Sequence, residues 1–142
     1  MLKARTSKRT YLILSAVCIM QAIYIYMESP ATPEPSEIIS VTPVDSTGAI
    51  YEVLYNSGGA TVPFIYRYFL MEKINDPVEA LDKIKSSHPF LVTKSPNAVR
   101  TVLPGRVKLT TLDTIYKYRN TAYYKTNGEL KGIKLDLTSD MP

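Results

Sequence analysis

AIYEVLYNSGGATVPFIYRYFLM, residues 49–71, decides the fold class. Ala49–Tyr55 and Thr61–Met71 are rich in β-branched and aromatic residues. Asn56-Ser57-Gly58-Gly59 separates them, so the stretch reads as two strands joined by a hairpin turn. Pro63 lacks a ladder donor, which suits a strand end or a sheet edge. A phosphate-binding loop would place its glycines before a helix in a Gly-x-x-x-x-Gly-Lys-Ser/Thr or Gly-x-Gly-x-x-Gly pattern. Here the glycines lead into a strand.

C-terminal to this hairpin, Asp76-Pro77-Val78-Glu79 is a helix start, with an Asp N-cap, Pro at the first helical position and Glu placed for a capping box. Val78, Leu81 and Ile84 supply one apolar stripe, and Ser86-Ser87-His88-Pro89 ends the helix. Strand segments follow at Phe90–Thr93, Ala98–Leu103, Arg106–Leu112, Thr114–Arg119, Ala122–Lys125 and Leu130–Leu137. Asn127-Gly128 marks a type I′ turn between the last two. One helix among short strands predicts an α+β domain over residues 46–142: a small antiparallel sheet of six or seven strands with one packed helix.

N-terminal to it, residues 28–45 (ESPATPEPSEIISVTPVD) carry Pro30, Pro33, Pro35 and Pro43 and read as an extended, semi-rigid stalk. Tyr11–Met27 holds no charge, so residues 10–27 are expected to form a single transmembrane anchor in a lipid bilayer. Tyr11, Tyr24 and Tyr26 sit at its two ends, where amphipathic rings favour the interfaces. Lys3, Arg5, Lys8 and Arg9 make residues 1–9 a basic tail, which by the positive-inside rule stays in the cytoplasm and puts the domain across the membrane. Two other readings remain open. Ser29-Pro30-Ala31 is a poor version of a signal-cleavage site. Leu14-Ser15-Ala16-Val17-Cys18 departs from a lipoprotein signal at Val17, and nine uncharged residues follow the cysteine.

The charge balance excludes a nucleic-acid binder. Of 17 basic residues, four lie in the tail, and the remaining 13 meet 13 acids, so the folded part carries no excess. One His and one Cys exclude a Cys/His zinc site and an internal disulfide within the chain. Cys18 lies in the anchor and cannot work with His88, which follows a helix end without a Gly-x-Ser-x-Gly elbow. Glu52, Glu72, Asp113 and Glu129 are scattered, with nothing to mark a catalytic pair. No cofactor is expected.

Tyrosine is the unusual feature. Eleven of the 14 aromatic residues are Tyr, and eight lie in the domain: Tyr51 and Tyr55, Tyr66 and Tyr68, Tyr116 and Tyr118, Tyr123 and Tyr124. Rings at i and i+2 share a strand face, where they either fill the core or form an exposed patch. Tyr66, Arg67, Tyr68, Tyr116, Tyr118 and Arg119 are the candidate interface, since Tyr and Arg carry most interface energy.

SGGATVPFIYRYF (57–69), PFLVT (89–93) and TNGEL (126–130) resemble a family of small enterobacterial envelope proteins, with a hydrophobic N-terminal segment and an uncharacterised domain. The resemblance covers about residues 49–137. It implies a Gram-negative inner-membrane setting with the domain in the periplasm, and transfers no site residues. The expected protein is therefore a non-enzymatic, single-pass inner-membrane protein. Its periplasmic domain binds an envelope or periplasmic protein, as an immunity-type or accessory factor would. The alternative is a periplasmic hydrolase or inhibitor acting on cell-wall or lipid substrates.

Overall fold

The computed structural model describes residues 2–28, 33–56, 58 and 61–140, with the backbone alone for residues 2–6. The candidate cleavage site at 29–31 and the turn residues Ser57 and Gly59 lie outside them. The chain divides into two units between Thr32 and Pro33.

The first unit is one helix, α1 (Leu2–Met27), which runs through the basic tail as well as the apolar run. Its apolar residues ring the whole circumference and leave no amphipathic stripe. Ser7–Met27 is long and apolar enough to cross a membrane, and none of it is buried against protein. Those 21 residues span about 31 Å, close to a hydrocarbon core of about 30 Å. Tyr11–Met27 alone falls short of that thickness, and the helical turn that precedes it supplies the difference.

The second unit is α+β, and its described residues form nine strands in two sheets instead of the single sheet of six or seven expected. Its elements run β1 (Glu37–Pro43), β2 (Gly48–Tyr55), β3 (Ile65–Glu72), α2 (Pro77–Lys85), β4 (Leu91–Thr93), β5 (Val99–Leu103), β6 (Arg106–Thr111), β7 (Ile115–Tyr118), β8 (Thr121–Thr126) and β9 (Glu129–Ser139). Sheet A has the order β1-β2-β3-β4-β7 and sheet B the order β5-β6-β9-β8. Sheet A is antiparallel; in sheet B, β6 and β9 pair in parallel, from Arg106↔Lys134 to Thr111↔Ser139.

β2 and β3 pair through all eight residues, from Gly48↔Glu72 to Tyr55↔Ile65. β1 is the second departure from the expected architecture, because it lies within the Pro-rich stretch read as stalk. Ile38, Ile39, Val41 and Thr42 are β-branched, and Pro43 sits at the end of an edge strand, where a missing donor costs no ladder bond. The Asp45 carboxylate closes the β1–β2 turn by accepting the N–H groups of Thr47 and Gly48 at 2.8 and 2.6 Å.

α2 starts as expected, with Asp76 accepting the Val78 N–H at 2.9 Å. Its buried face is Ala80 and Ile84, one turn apart, not Val78-Leu81-Ile84. Val78 lies about 120° around the helix from Ile84 and is 68 % exposed.

Two apolar clusters make sheet A the middle layer. One fills the space between the sheets, where Ile50, Tyr68 and Leu70 meet Val107, Leu109, Tyr124 and Leu135. The other packs Tyr51, Val53, Phe69 and Met71 beneath Ala80 and Ile84. β2 is therefore buried on both faces at seven of its eight residues.

Candidate functional site

The two strand runs expected to carry the interface have different fates. In β3, Tyr68 is fully buried in the inter-sheet core. Its hydroxyl lies 3.1 Å from Glu52 Oε1 and 2.9 Å from the Ser95 carbonyl, and accepts the Ala98 N–H at 3.1 Å. Glu52, itself buried, also accepts from Ser40 Oγ at 2.9 Å and from the Asn97 N–H at 2.8 Å. Burial, with the Glu52 carboxylate beside it, pushes the Tyr68 phenol well above its ordinary range. These bonds fasten the 95–98 turn, which carries the chain from sheet A to sheet B, onto the middle of β2 and β3. Tyr68 and Glu52 form a fully partnered internal network.

Tyr66 is half-buried and packs against the same core. Arg67 turns to the opposite face and lays its guanidinium 4.1 Å from the centre of the Tyr55 ring. The Arg67 guanidinium therefore lies over the Tyr55 end of the cluster under α2, while its buried Nε has no hydrogen-bond partner among the described residues.

Around β7 the candidates reach the surface. Tyr116 is 53 % and Tyr118 37 % exposed, and Arg119 is exposed just beyond the strand. The Tyr118 hydroxyl donates to the Leu135 carbonyl, so this ring is held against sheet B while its flank stays open. The structure thus separates the six candidates into a buried or half-buried set on β3 and an exposed set on and just after β7.

Arg119 leads to a feature that the strand pattern does not signal. It lines a cleft of about 300 Å³ together with Ser87, His88, Phe90 and Tyr123. A second cleft, of about 500 Å³, shares Leu70, Ser87 and Tyr123 and continues past Lys83, Lys125 and Gly128. Tyr123 is the functional candidate that sequence reasoning left out. It pairs with Gly132 across β8–β9, where an added Cβ would come within 2.8 Å of its ring, and it is 63 % exposed. An exposed Tyr opposite a strand Gly is the signal that would have found it.

His88 has no hydrogen bond or ion pair among the described residues. Ser87 Oγ donates back to the Lys83 carbonyl at 2.7 Å, so its hydroxyl serves the end of α2. Asp113 and Arg100 line neither cleft. Asp113 is held below the ordinary carboxylate range by the Thr114 N–H that it accepts at 2.6 Å. No group of three His, Cys, Asp or Glu among the described residues is placed to hold a metal ion.

No family model, curated protein or solved structure matches the chain.

Proposed function

We propose that the chain is a single-pass inner-membrane protein whose periplasmic domain binds another protein, in an immunity-type or envelope accessory role. The observation that carries the binding reading is the exposed set Tyr116, Tyr118 and Arg119, of which Arg119 also lines the cleft with Tyr123. Large rings with few rotatable bonds beside an arginine are the composition favoured at interface centres.

The membrane reading is supported by α1, apolar on all sides and unburied, and by the basic residues before it. The resemblance of residues 49–137 to enterobacterial envelope proteins is the ground for naming the far compartment the periplasm.

Two measurements in cells test this. A reporter active only outside the cytoplasm, fused after Pro142, is expected to be active; activity of a cytoplasmic reporter there overturns the orientation. A photo-crosslinking residue at Tyr116, Tyr118 or Arg119 is expected to give a discrete adduct with an identifiable envelope protein, and absence of adducts at all three overturns the binding reading.

The cleft with His88, Arg119 and Tyr123 is the observation that favours the alternative, a periplasmic hydrolase or inhibitor. His88→Ala decides between them. On the binding reading the folded variant keeps its biological phenotype, whereas its loss in a folded variant favours the hydrolase.

A further inference from the structure

The neutral charge of the folded part conceals a division between its sheets. The strands of sheet B carry six basic residues against two acids, and those of sheet A carry two against three. In sheet B, Val107, Leu109, Ile133 and Leu135 face the core, so the residues that alternate with them face away. Arg106, Lys108, Lys134 and Asp136 are accordingly exposed, and on β8 the exposed Lys125 alternates with the buried Tyr124 and Thr126. Sheet A covers the inner face of sheet B, and α2 lies on the far side of sheet A. Among the described residues no element packs on the outer face of sheet B.

The cations of this face lack partners. Asp136 is the single acid among its outward residues, and it pairs with Arg106 at 3.4 Å. Lys108, Lys125 and Lys134 have no ion pair among the described residues. Arg106 and Lys134 stand directly opposite each other in the β6–β9 ladder, where like charges repel. An anion placed between them relieves that repulsion. Apolar groups lie among the cations: the Tyr123 ring crosses Gly132, and Leu130 is 67 % exposed.

The tether to α1 is short. Because β1 takes up the second half of the expected stalk, residues 28–36 alone join Met27 to Glu37, a reach of about 35 Å when fully extended. A face held that near a bilayer meets it at high effective concentration, so a weak attraction is enough to seat it.

We infer that the outer face of sheet B docks on the anionic phospholipid surface of the membrane that holds α1. Lys108, Lys134, Arg106 and Lys125 meet the headgroup phosphates, and Tyr123 and Leu130 enter the interfacial layer. Composition favours lipid over protein here, since lysine is depleted at protein interfaces and clusters where anionic lipid is bound. The inference rests on the reading of α1 as a membrane anchor and concerns a face separate from Tyr116 and Tyr118.

The test places the full chain in nanodiscs of phosphatidylcholine, with and without phosphatidylglycerol, and follows lysine acetylation residue by residue by mass spectrometry. With phosphatidylglycerol, Lys108, Lys125 and Lys134 are expected to react roughly three-fold more slowly or less, and the difference should vanish in molar salt. Lys83 and Lys85 on α2 should react alike in both discs. The double variant Lys108→Gln, Lys134→Gln is expected to restore fast reaction at Lys125, with unchanged melting to show that it folds. Equal reaction in the two discs, equal slowing on α2, or slowing that survives salt or the double variant overturns the inference. Slowing that follows chain concentration without phosphatidylglycerol assigns the face to a second copy, and slowing confined to native membranes assigns it to a protein; either outcome overturns the lipid assignment. A chain that fails to stay with the discs overturns the anchor reading and this inference together, whereas a retained chain without slowing removes this inference alone.

Discussion

Asp45 carries more than its surface position suggests. Besides the two N–H groups of its turn it accepts the Tyr124 hydroxyl at 2.5 Å, and these bonds, Tyr124 foremost, lower its pKa to about 2. A depressed carboxylate stabilises the fold above its ordinary pKa, and the contribution disappears as pH falls through the folded value. Asp45→Asn is therefore expected to lower the melting temperature at pH 7, and the gap to the unaltered protein should narrow between pH 4 and pH 2. A gap independent of pH would refute the role. Burial separates the tyrosines in the same way. Tyr68→Phe leaves buried partners of its hydroxyl unsatisfied and should cost about 1–3 kcal/mol in denaturant unfolding. Tyr116→Ala should stay within about 0.5 kcal/mol and weaken partner binding instead. The i, i+2 spacing could not make this distinction, because β3 lies in a layer covered on both sides, so neither face of the strand reads as solvent.

At the scale of elements, the local signals were the legible ones. Asp76-Pro77 began α2 and Asn127-Gly128 turned β8 into β9, because each depends on backbone geometry within a few residues. Gly128→Val puts a β-branched residue at φ 80° and is expected to lower stability measurably by denaturant unfolding. Unchanged stability would remove the turn assignment. β1 was hidden by composition: Pro33, Pro35 and Pro43 flank EIISVT, whose own β-branched residues were outweighed by the prolines around them. The consequence is a boundary. A fragment of residues 33–142 should fold cooperatively. One of residues 46–142 loses β1, the Ser40–Glu52 bond and the Ile38 cover over the cluster beneath α2, and should be less stable by several kcal/mol or fail to fold. Equal melting of the two fragments would show that β1 is dispensable.

Over the whole molecule, the division into an apolar helix and a strand-rich domain was readable because it rests on bulk composition. Strand order was not, because it rests on pairings between distant residues that leave no local pattern. Nothing in LKGIKLDL marks a strand that takes β8 as an antiparallel neighbour on one side and β6 as a parallel neighbour on the other. Sheet A likewise waits for β7, which follows two strands of sheet B. This interleaving bears on the timing of synthesis. With β9 inside its sheet and not at an edge, a nascent chain halted before residue 129 has no partner to join β6 to β8. Sheet A has all its strands once β7 has emerged, but sheet B, and the core between the two sheets, must wait for β9. The domain reaches its final form only when its last strand emerges, so until then the chain remains a substrate for chaperones and proteases.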